Sequence, residues 1–503
     1  MKNKRTKMLL LFLMIAAFTN HISAQTPVSH GHLEWELDDN QSDEFESLDT
    51  QKWENDPNDW GVWSWEPSLA YVEDNELKIK MIQETHRRDT NYGSNQELYY
   101  KSGIIRNNRT ITYGYFEAKI KGADRFPGVS PAFWLYSINQ PDPTEDGQAK
   151  YSEIDVVELT QREWDFENND WEGPEAIDMN LHAVARENGE LIQIRPHKTP
   201  EIAQNKWIAD FDPREDYHTY GVLSRVDSIF WYVDGVERGR KENLYWHLPM
   251  HITVSMGLRA PFVEYIEDGS RRPVPDSTTT VGFPTEMACQ YVRVWKAKSQ
   301  IYADKDQYSN VEFAKADGIN FISYFDAGSG SVAASNLEVE LHEMDENGES
   351  VEVVGKSQAL IVGKAAGETA SLINIQNVKN TSELDDGHYY EITASFTSTE
   401  NEEETITLTT SIKDLQIVDQ ITSSDIDLGQ NIELYPNPTS SSFRLKGIQG
   451  PVDISILNPT GNVVLESSIT PNTEVDVRSL TNGVYIVKVN IGGKVYTKRL
   501  LKL

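Results

Sequence analysis

Three carboxylic side chains share one short stretch of the sequence, Tyr151-Ser152-Glu153-Ile154-Asp155-Val156-Val157-Glu158. Side chains of a β-strand alternate between its faces, so Glu153 and Asp155 share a face and Glu158 should point away from them. One extra residue in the strand, a β-bulge, turns Glu158 to the side of the other two acids. Because the intervening Ile and Val side chains need a core behind them, we predict that the three acids line the opposite, concave face of a sheet.

Carboxyl groups arranged in this way suit glycoside hydrolysis, which needs one carboxylate and one carboxylic acid flanking the scissile bond. Glu side chains that lean inward from the two ends of the run can close to the ~5.5 Å separation that retaining enzymes use. The acid between them hydrogen-bonds one neighbour and repels charge on the other, so one Glu stays ionised and the other protonated near neutral pH. A solvated edge strand is the alternative interpretation, and the interleaved apolar residues argue against it.

The composition indicates several soluble domains. The chain has 503 residues, 38% of them hydrophobic, with 12 Trp and 22 Tyr, which is enough for several packed cores. Its net charge of −33 argues against binding to nucleic acid by bulk electrostatics. The single cysteine, Cys289, excludes an intramolecular disulfide, and its alternating surroundings predict a buried, inert thiol.

The N-terminus, residues 1–24, has the pattern of a secretory signal. Basic residues from Lys2 to Lys7 precede an apolar run, Met8 to Phe18, that is too short to span a bilayer. Ile22-Ser23-Ala24 is similar to a small-residue cleavage site. We therefore expect a secreted protein, extracellular or at the cell surface.

The pattern of the remaining chain predicts an all-β protein with three units. Residues 27–298 are rich in aromatics and short alternating segments, including a hairpin from Ser228 to Arg238 with Asp234-Gly235 at its turn, and this favours a two-sheet sandwich. Residues 305–415 alternate between Asn-, Gly- and Glu-rich turns and predict a small immunoglobulin-like β-sandwich, a spacer or alternatively a carbohydrate-binding module. Residues 432–503 form another small β unit after a linker.

The run Glu153-Ile154-Asp155-Val156-Val157-Glu158, within an aromatic-rich β-sandwich, resembles the bulged motif of glycoside hydrolase family 16. The resemblance implies a jelly-roll fold and a retaining mechanism. It implies that Glu153 is the nucleophile, Asp155 its helper, and Glu158 the general acid and then the general base.

The segments around the acids resemble the κ-carrageenase branch of that family, whose members cut β-1,4 linkages inside chains of sulfated galactose and anhydrogalactose. The similar segments are Gly61–Trp65, Tyr113–Ala118, Phe126–Trp134, Tyr151–Gln161, Asn243–His247 and Gly257–Pro261. A sulfated substrate needs local cations, and the planar fork of Arg suits a sulfate group best. By resemblance, Arg259 contacts the sulfate at the cleavage site, and Arg195 contacts a second sulfate on the leaving side.

Aromatic platforms and one histidine complete the predicted site. Galactose rings present apolar faces, so we predict that Trp63, Trp65 and Trp134 stack on sugars, with core packing as the alternative, notably for Trp134. His182, on a strand that follows the catalytic one, could hydrogen-bond near the nucleophile or be purely structural. No metal is needed for this chemistry; the fold often holds a structural Ca²⁺, for which the sequence places no ligands.

The last segment, from Ile432 to Leu503, resembles the C-terminal sorting domain of the type IX secretion system of gliding bacteria. The resemblance rests on Tyr435-Pro436-Asn437-Pro438, Asn482-Gly483-Val484-Tyr485 and Lys498-Arg499. It implies that the export machinery recognises this tail. The expected partners are this machinery and a sulfated galactan such as carrageenan, and we expect a monomer that binds no nucleic acid.

One departure leaves the substrate open. Before Arg195-Pro196 the relatives tend to carry an aromatic residue, whereas this chain has Ile192, Gln193 and Ile194. Weaker stacking on the leaving side makes furcellaran more credible, and porphyran and agarose are further alternatives on the same fold. A non-catalytic galactan-binding protein is the alternative from another class, and the three intact acids argue against it.

Overall fold

The architecture is taken from a computed structural model that describes residue 27 and residues 33–502 with short gaps. The gaps are 92, 166–168, 267–270, 304–311, 315–317, 346, 362, 364–370, 381–383, 385–387, 401–403, 419–431, 438, 440, 447–450, 459–462, 471–472, 482 and 492–493. The predicted signal, residues 1–24, and the predicted linker lie outside the described residues. Among the described residues, no helix is long and apolar enough to cross a membrane.

Strands dominate the first domain, and its helices among the described residues are the single turn α1 (Pro200–Ala203) and two 3₁₀ turns, Pro67–Leu69 and Pro275–Ser277. In chain order its strands are β1 (Trp35–Leu37), β2 (Trp53–Glu54), β3 (Ser64–Trp65), β4 (Ala70–Glu73), β5 (Glu76–Thr90), β6 (Gly93–Ser102), β7 (Ile104–Ile111), β8 (Gly114–Lys121), β9 (Val129–Tyr136), β10 (Ala149–Leu159), β11 (Trp164–Asp165), β12 (Asp170–Trp171), β13 (Ala176–Asp178), β14 (Leu181–Glu187), β15 (Glu190–Ile194), β16 (Lys206–Ile208), β17 (His218–Ser224), β18 (Ser228–Val233), β19 (Val236–Glu242), β20 (Met250–Leu258), β21 (Val263–Tyr265), β22 (Arg271–Pro273) and β23 (Thr285–Ala297).

Two large sheets pack face to face around one core. The outer sheet has the order β19-β18-β17-β8-β23-β5-β6-β3, and the inner sheet has the order β15-β14-β10-β9-β20-β7-β2, with β13 and β16 beside β10. A single cluster of buried apolar residues fills the space between them, from Phe45 to Val294. Neighbours such as β9 and β20 are antiparallel and far apart in the chain, which is the connectivity of a jelly-roll sandwich. The all-β fold predicted from sequence is confirmed.

Local chemistry explains where several of these strands begin and end. The hairpin β18–β19 turns at Asp234 and Gly235, whose φ angles of 49° and 74° are those that a two-residue turn between twisted strands requires. Cys289 lies within β23 and is fully buried, as the alternating pattern predicted. Burial raises the pKa of this thiol, which leaves it protonated and unreactive.

A second, smaller sandwich follows the first domain. Sheets of three and five strands share a core that includes Phe321, Leu337 and Phe396. Its strands are β24 (Gln300–Ala303), β25 (Glu312–Ala314), β26 (Gly318–Asp326), β27 (Ser335–Met344), β28 (Ser350–Ile361), β29 (Ser371–Asn380), β30 (Tyr389–Glu400) and β31 (Glu404–Val418). Nη2 of Arg225, in the first domain, lies 3.0 Å from both carboxylate oxygens of Asp326, and both side chains are buried. This ion pair fixes the second unit against the first.

The C-terminal unit is a third small sandwich with its own core, which includes Phe443, Ile454 and Val487. Its strands are β32 (Glu433–Tyr435), β33 (Ser442–Lys446), β34 (Val452–Leu457), β35 (Val463–Ile469), β36 (Glu474–Asp476), β37 (Gly483–Ile491) and β38 (Lys494–Lys502). They form sheets of three and four strands. The described strands of the three units run from Trp35 to Ala297, from Gln300 to Val418 and from Glu433 to Lys502, and the predicted boundaries 27–298, 305–415 and 432–503 stay predictions.

Candidate active site

A bulge in β10 brings the three acids to one face of the inner sheet. Opposite them on β9, Glu153 pairs with Tyr136, Asp155 with Trp134 and Glu158 with Ala132. These three partners are two residues apart, so their side chains share a face. The register shifts by one residue between Asp155 and Val157, which restores Glu158 to the face of Glu153. The predicted bulge and the shared face of the acids are therefore present.

The other face of β10 is anchored in the core. Ile154, Val156 and Val157 are at most 1% exposed. Across the core, the indole of Trp231 donates a hydrogen bond of 2.9 Å to the backbone carbonyl of Asp155. The bulge interrupts the regular ladder, and this bond satisfies a buried carbonyl at that point, which stabilises the irregular backbone.

Glu153 is held by groups on both of its sides. The hydroxyl of Tyr151, on the same strand face, donates to Oε2 of Glu153. Nε2 of His182 lies 3.6 Å from Oε1 of Glu153 and 3.1 Å from Oδ2 of Asp155. Burial opposes the imidazolium, but the two carboxylates outweigh it and the pKa of His182 is raised. His182 therefore lies directly beside the predicted nucleophile.

Asp155 is the most deeply buried acid of the three, with 2% of its surface exposed. Burial, followed by the charges of Glu158 and Glu153, raises its pKa to about 7, although His182 acts in the opposite direction. Such a group exchanges a proton near neutral pH. It lies between the two glutamates, where a proton lowers the repulsion among three neighbouring acids.

Glu158 lies beside the predicted sulfate-binding arginine. Nη2 of Arg259 is 2.6 Å from Oε1 of Glu158, and Nε of Arg259 donates to the side-chain oxygen of Gln161. Arg259 comes directly after β20, the neighbour of β9, so its guanidinium reaches across the face that carries the acids. The fork of Arg259 is thus oriented by two residues of the segment that contains the acids.

The second predicted arginine is also near the acids. The guanidinium carbon of Arg195 lies 6.0 Å from the centre of the Tyr151 ring, and its positive charge opposes protonation of His182. Arg195 follows β15, at the edge of the inner sheet next to β14. It therefore lies on the Glu153 side of the run, whereas Arg259 lies on the Glu158 side.

The three predicted platforms differ in exposure. Trp134 is half-buried, stacks on Tyr136 with ring centres 4.5 Å apart, and lies opposite Asp155 on the face that carries the acids. Trp63 and Trp65 are 2% and 6% exposed and belong to the main core. Such burial leaves almost no ring surface for a sugar, so the structure argues against the platform role predicted for Trp63 and Trp65 and favours the core alternative.

Sequence reasoning gave no individual role to several residues that contact the site. Tyr151 could have been found, because it alternates with Glu153 and Asp155 along one strand. Trp246, whose indole donates to the backbone carbonyls of Glu153 and His182 at 2.9 and 3.1 Å, is far from both in the chain, and no local pattern reveals it.

One group of side chains in the site could also hold a cation. Glu153, Asp155 and His182 each offer a ligand atom, and these atoms lie within 4.8 Å of one another. These are the same three side chains whose mutual contacts are described above.

Comparison with known proteins places the first and last units in families. The family model described as the GH16 domain of β-porphyranases A–D matches residues 35–297, and the model of a secretion system C-terminal sorting domain matches residues 433–502. The κ-carrageenase of Pseudoalteromonas carrageenovora is 41% identical over 290 residues, which cover 56% of this chain and 70% of that protein. The β-porphyranase B of Zobellia galactanivorans is 26% identical over 275 residues, covering 53% and 86%.

The fold comparison agrees with the sequence comparison. The crystal structure of the Pseudoalteromonas carrageenovora enzyme in complex with a κ-carrageenan oligosaccharide matches with a TM-score of 0.51 and 41% identity. The match covers 54% of this chain and 99% of that one. With the acids on one face of a two-sheet sandwich and a sorting domain at its end, the chain belongs to glycoside hydrolase family 16 and is a secreted or cell-surface protein.

Proposed function

We propose that the protein is an endo-acting, retaining κ-carrageenase, which hydrolyses β-1,4 linkages within the sulfated galactan. The observation that carries this proposal is the partly buried guanidinium of Arg259 against Glu158, inside a chain whose net charge is −33. An acidic surface repels a polyanionic substrate, so binding needs local cations. The planar guanidinium of Arg offers paired N–H donors from which a sulfate accepts hydrogen bonds. The 41% identity to a κ-carrageenase supports the same substrate.

In the proposed reaction, the carboxylate of Glu153 attacks the anomeric carbon while Glu158 gives its proton to the leaving sugar oxygen. Glu158 then takes a proton from water, which displaces Glu153 from the glycosyl intermediate and restores both carboxyl groups. The Tyr151 hydroxyl donates a hydrogen bond to Glu153 and Nε2 of His182 lies 3.6 Å from it, and these contacts hold the carboxylate in place. Arg195 would contact a second sulfate, and Trp134 would stack on one sugar face.

Porphyran is the second candidate substrate, because the matching family model is that of β-porphyranases. Furcellaran and agarose are further alternatives. Arg259 separates agarose from the other candidates, since agarose carries no sulfate for this side chain to bind. A binding protein without activity is less well supported, because all three acids are present on one face.

The test is digestion of purified κ-carrageenan, furcellaran, porphyran and agarose, with reducing ends measured over time and products identified by mass spectrometry. We expect rapid release of sulfated oligosaccharides of mixed length from κ-carrageenan. Faster cleavage of another polymer would change the substrate assignment, and binding without any new reducing ends would favour the non-catalytic alternative. Inverted anomeric configuration of fresh products in NMR spectra would contradict the role of Glu153.

A further inference from the structure

A row of cross-strand pairs runs over the face of the inner sheet that carries the acids, and it reaches an arginine. Asp155 of β10 pairs with Trp134 of β9. Trp134 pairs with Thr253 of β20, which in turn pairs with Arg106 of β7. Directly paired residues of antiparallel strands point to the same face. Arg106 therefore lies on the face of Asp155, three strand spacings away, which is about 14 Å.

The guanidinium of Arg106 is partly open to solvent and has two partners. Nη1 donates a hydrogen bond of 2.6 Å to the hydroxyl of Tyr136, and Nη2 forms an ion pair with the carboxylate of Glu54, on the edge strand β2. The side chain of Arg106 is 18% exposed and that of Glu54 is 36% exposed. An anion can therefore reach this guanidinium by displacing a partly exposed carboxylate, as it can at Arg259, whose partner is Glu158.

Tyr136 connects Arg106 to the catalytic strand. It is the cross-strand partner of Glu153, and it stacks on Trp134 with ring centres 4.5 Å apart. Within the row, Trp134 lies between Asp155 and Arg106. A sugar that stacks on the Trp134 ring has the acids on one side and the guanidinium of Arg106 on the other.

The order of the sheet places Arg106 and Arg195 on opposite sides of β10. Arg195 follows β15, two strands from β10, whereas Arg106 lies on β7, three strands from β10 in the other direction. A sugar chain that crosses the strands over the acids passes both arginines. Because Arg195 is predicted on the leaving side, Arg106 belongs to the opposite, non-leaving side of the scissile bond.

We propose that Arg106 binds the sulfate of the next galactose on the non-leaving side, while Arg259 binds the sulfate at the cleavage site. This inference rests on the proposed function, in which the substrate alternates sulfated galactose with anhydrogalactose. The protein then recognises two successive sulfates, and the sugar between them lies over Trp134. In a chain whose net charge is −33, a second cation at this distance favours a polymer that carries sulfates with the same spacing.

The experiment measures kcat/KM of the full-length protein on κ-carrageenan oligosaccharides of increasing length. Wild type should show a rise of about tenfold or more at the length that adds a second sulfated galactose on the non-leaving side, because a charged hydrogen bond is gained there. Arg106→Met removes this cation. Glu54→Gln is combined with it, so that no unpaired carboxylate is left to repel the sulfate. The rise should be lost in this double variant.

The matched control combines Arg293→Met with Glu44→Gln. These two residues form an arginine–glutamate pair at the outer sheet, with Nε of Arg293 2.7 Å from Oε1 of Glu44, and the rise should remain without them. A wild-type rise in the folded double variant of Arg106 and Glu54 would overturn the inference. An equal loss at every length would also overturn it, because Arg106 would then act by positioning Tyr136.

Glu54→Gln alone gives a second test, which keeps Arg106. The guanidinium loses its competing carboxylate, so KM for long oligosaccharides should fall about twofold to fivefold, whereas KM for short ones should not change. If the double variant does not fold, an unchanged KM in Glu54→Gln overturns the inference. Failure of the proposed function is distinct, because the wild type would then cleave no κ-carrageenan oligosaccharide. Calorimetric binding of the same oligosaccharides would still test Arg106 in that case.

Discussion

Nη2 of Arg259 lies 2.6 Å from Oε1 of Glu158, although the two residues are 101 positions apart in the sequence. The predicted sulfate-binding residue is therefore in contact with the predicted proton donor. A sulfate that binds Arg259 would compete with the Glu158 carboxylate for the same guanidinium. Substrate binding and acid catalysis would then be linked through one side chain.

Replacing Arg259 should discriminate between sulfated and unsulfated substrates. Arg259→Ala removes a charged hydrogen-bond donor worth about 1.5–3 kcal/mol, so kcat/KM on κ-carrageenan should fall about tenfold to 150-fold. The loss on chemically desulfated polymer should be much smaller. Arg240→Ala, at an ion-paired arginine of the outer sheet, is the control, and equal losses on both polymers would contradict the role of Arg259.

Removing either glutamate should abolish turnover. Glu153→Ala deletes the nucleophile and Glu158→Ala the proton donor, and each loss should lower kcat by at least about 10³-fold, roughly 4 kcal/mol of transition-state stabilisation. Reducing-end assays on κ-carrageenan measure this, with Glu237→Gln in the outer sheet as the control. A variant that folds and retains near-wild-type turnover would remove that glutamate from its assigned role.

Asp155 should make the stability of the first domain depend on pH. Its pKa is raised to about 7 in the folded protein, against about 3.9 in an unfolded chain. A raised folded-state pKa stabilises the protein below about pH 4, and this stabilisation is lost as the pH rises through about 7. Asp155→Asn cannot titrate, so its melting temperature should fall less than that of wild type between pH 5 and 8. The difference between the two proteins should be about 2–4 °C for each kcal/mol of pH-dependent stability that the substitution removes. Thermal unfolding at both pH values tests this, and parallel changes in the two proteins would contradict it.

The indole of Trp246 should stabilise the catalytic strand. Trp246→Phe leaves the carbonyls of Glu153 and His182 without their donor, which should cost about 1–3 kcal/mol of unfolding free energy and lower kcat by displacing Glu153. Trp53→Phe is the matched control, since the buried indole of Trp53, on β2, donates to Asp43 at 2.7 Å, away from the catalytic strand. We expect denaturant unfolding to show similar losses in both variants, and a loss of kcat only in Trp246→Phe. Unchanged kcat in Trp246→Phe would mean that the catalytic strand positions Glu153 without the hydrogen bonds of this indole.

The sequence by itself determined the strands, the bulge and the three acids. Alternation along a strand is a local property, and an acid out of phase by one residue, such as Glu158, predicts a bulge before any fold is known. The motif and its flanks also carried the family resemblance, and Tyr151 could have been read from the same alternation.

Only the tertiary structure decided which distant residues contact these acids and which aromatic rings stay exposed. His182 and Trp246 reach β10 through strand pairing and core packing, and pairing registers between separate strands are not encoded in any local pattern. Burial is likewise a property of the whole sandwich, which is why Trp63 and Trp65 are enclosed in the core while Trp134 lies on the face that carries the acids. The pKa of each acid follows from these long-range contacts, because it depends on the charges and the solvent that the fold brings to that carboxyl or removes from it.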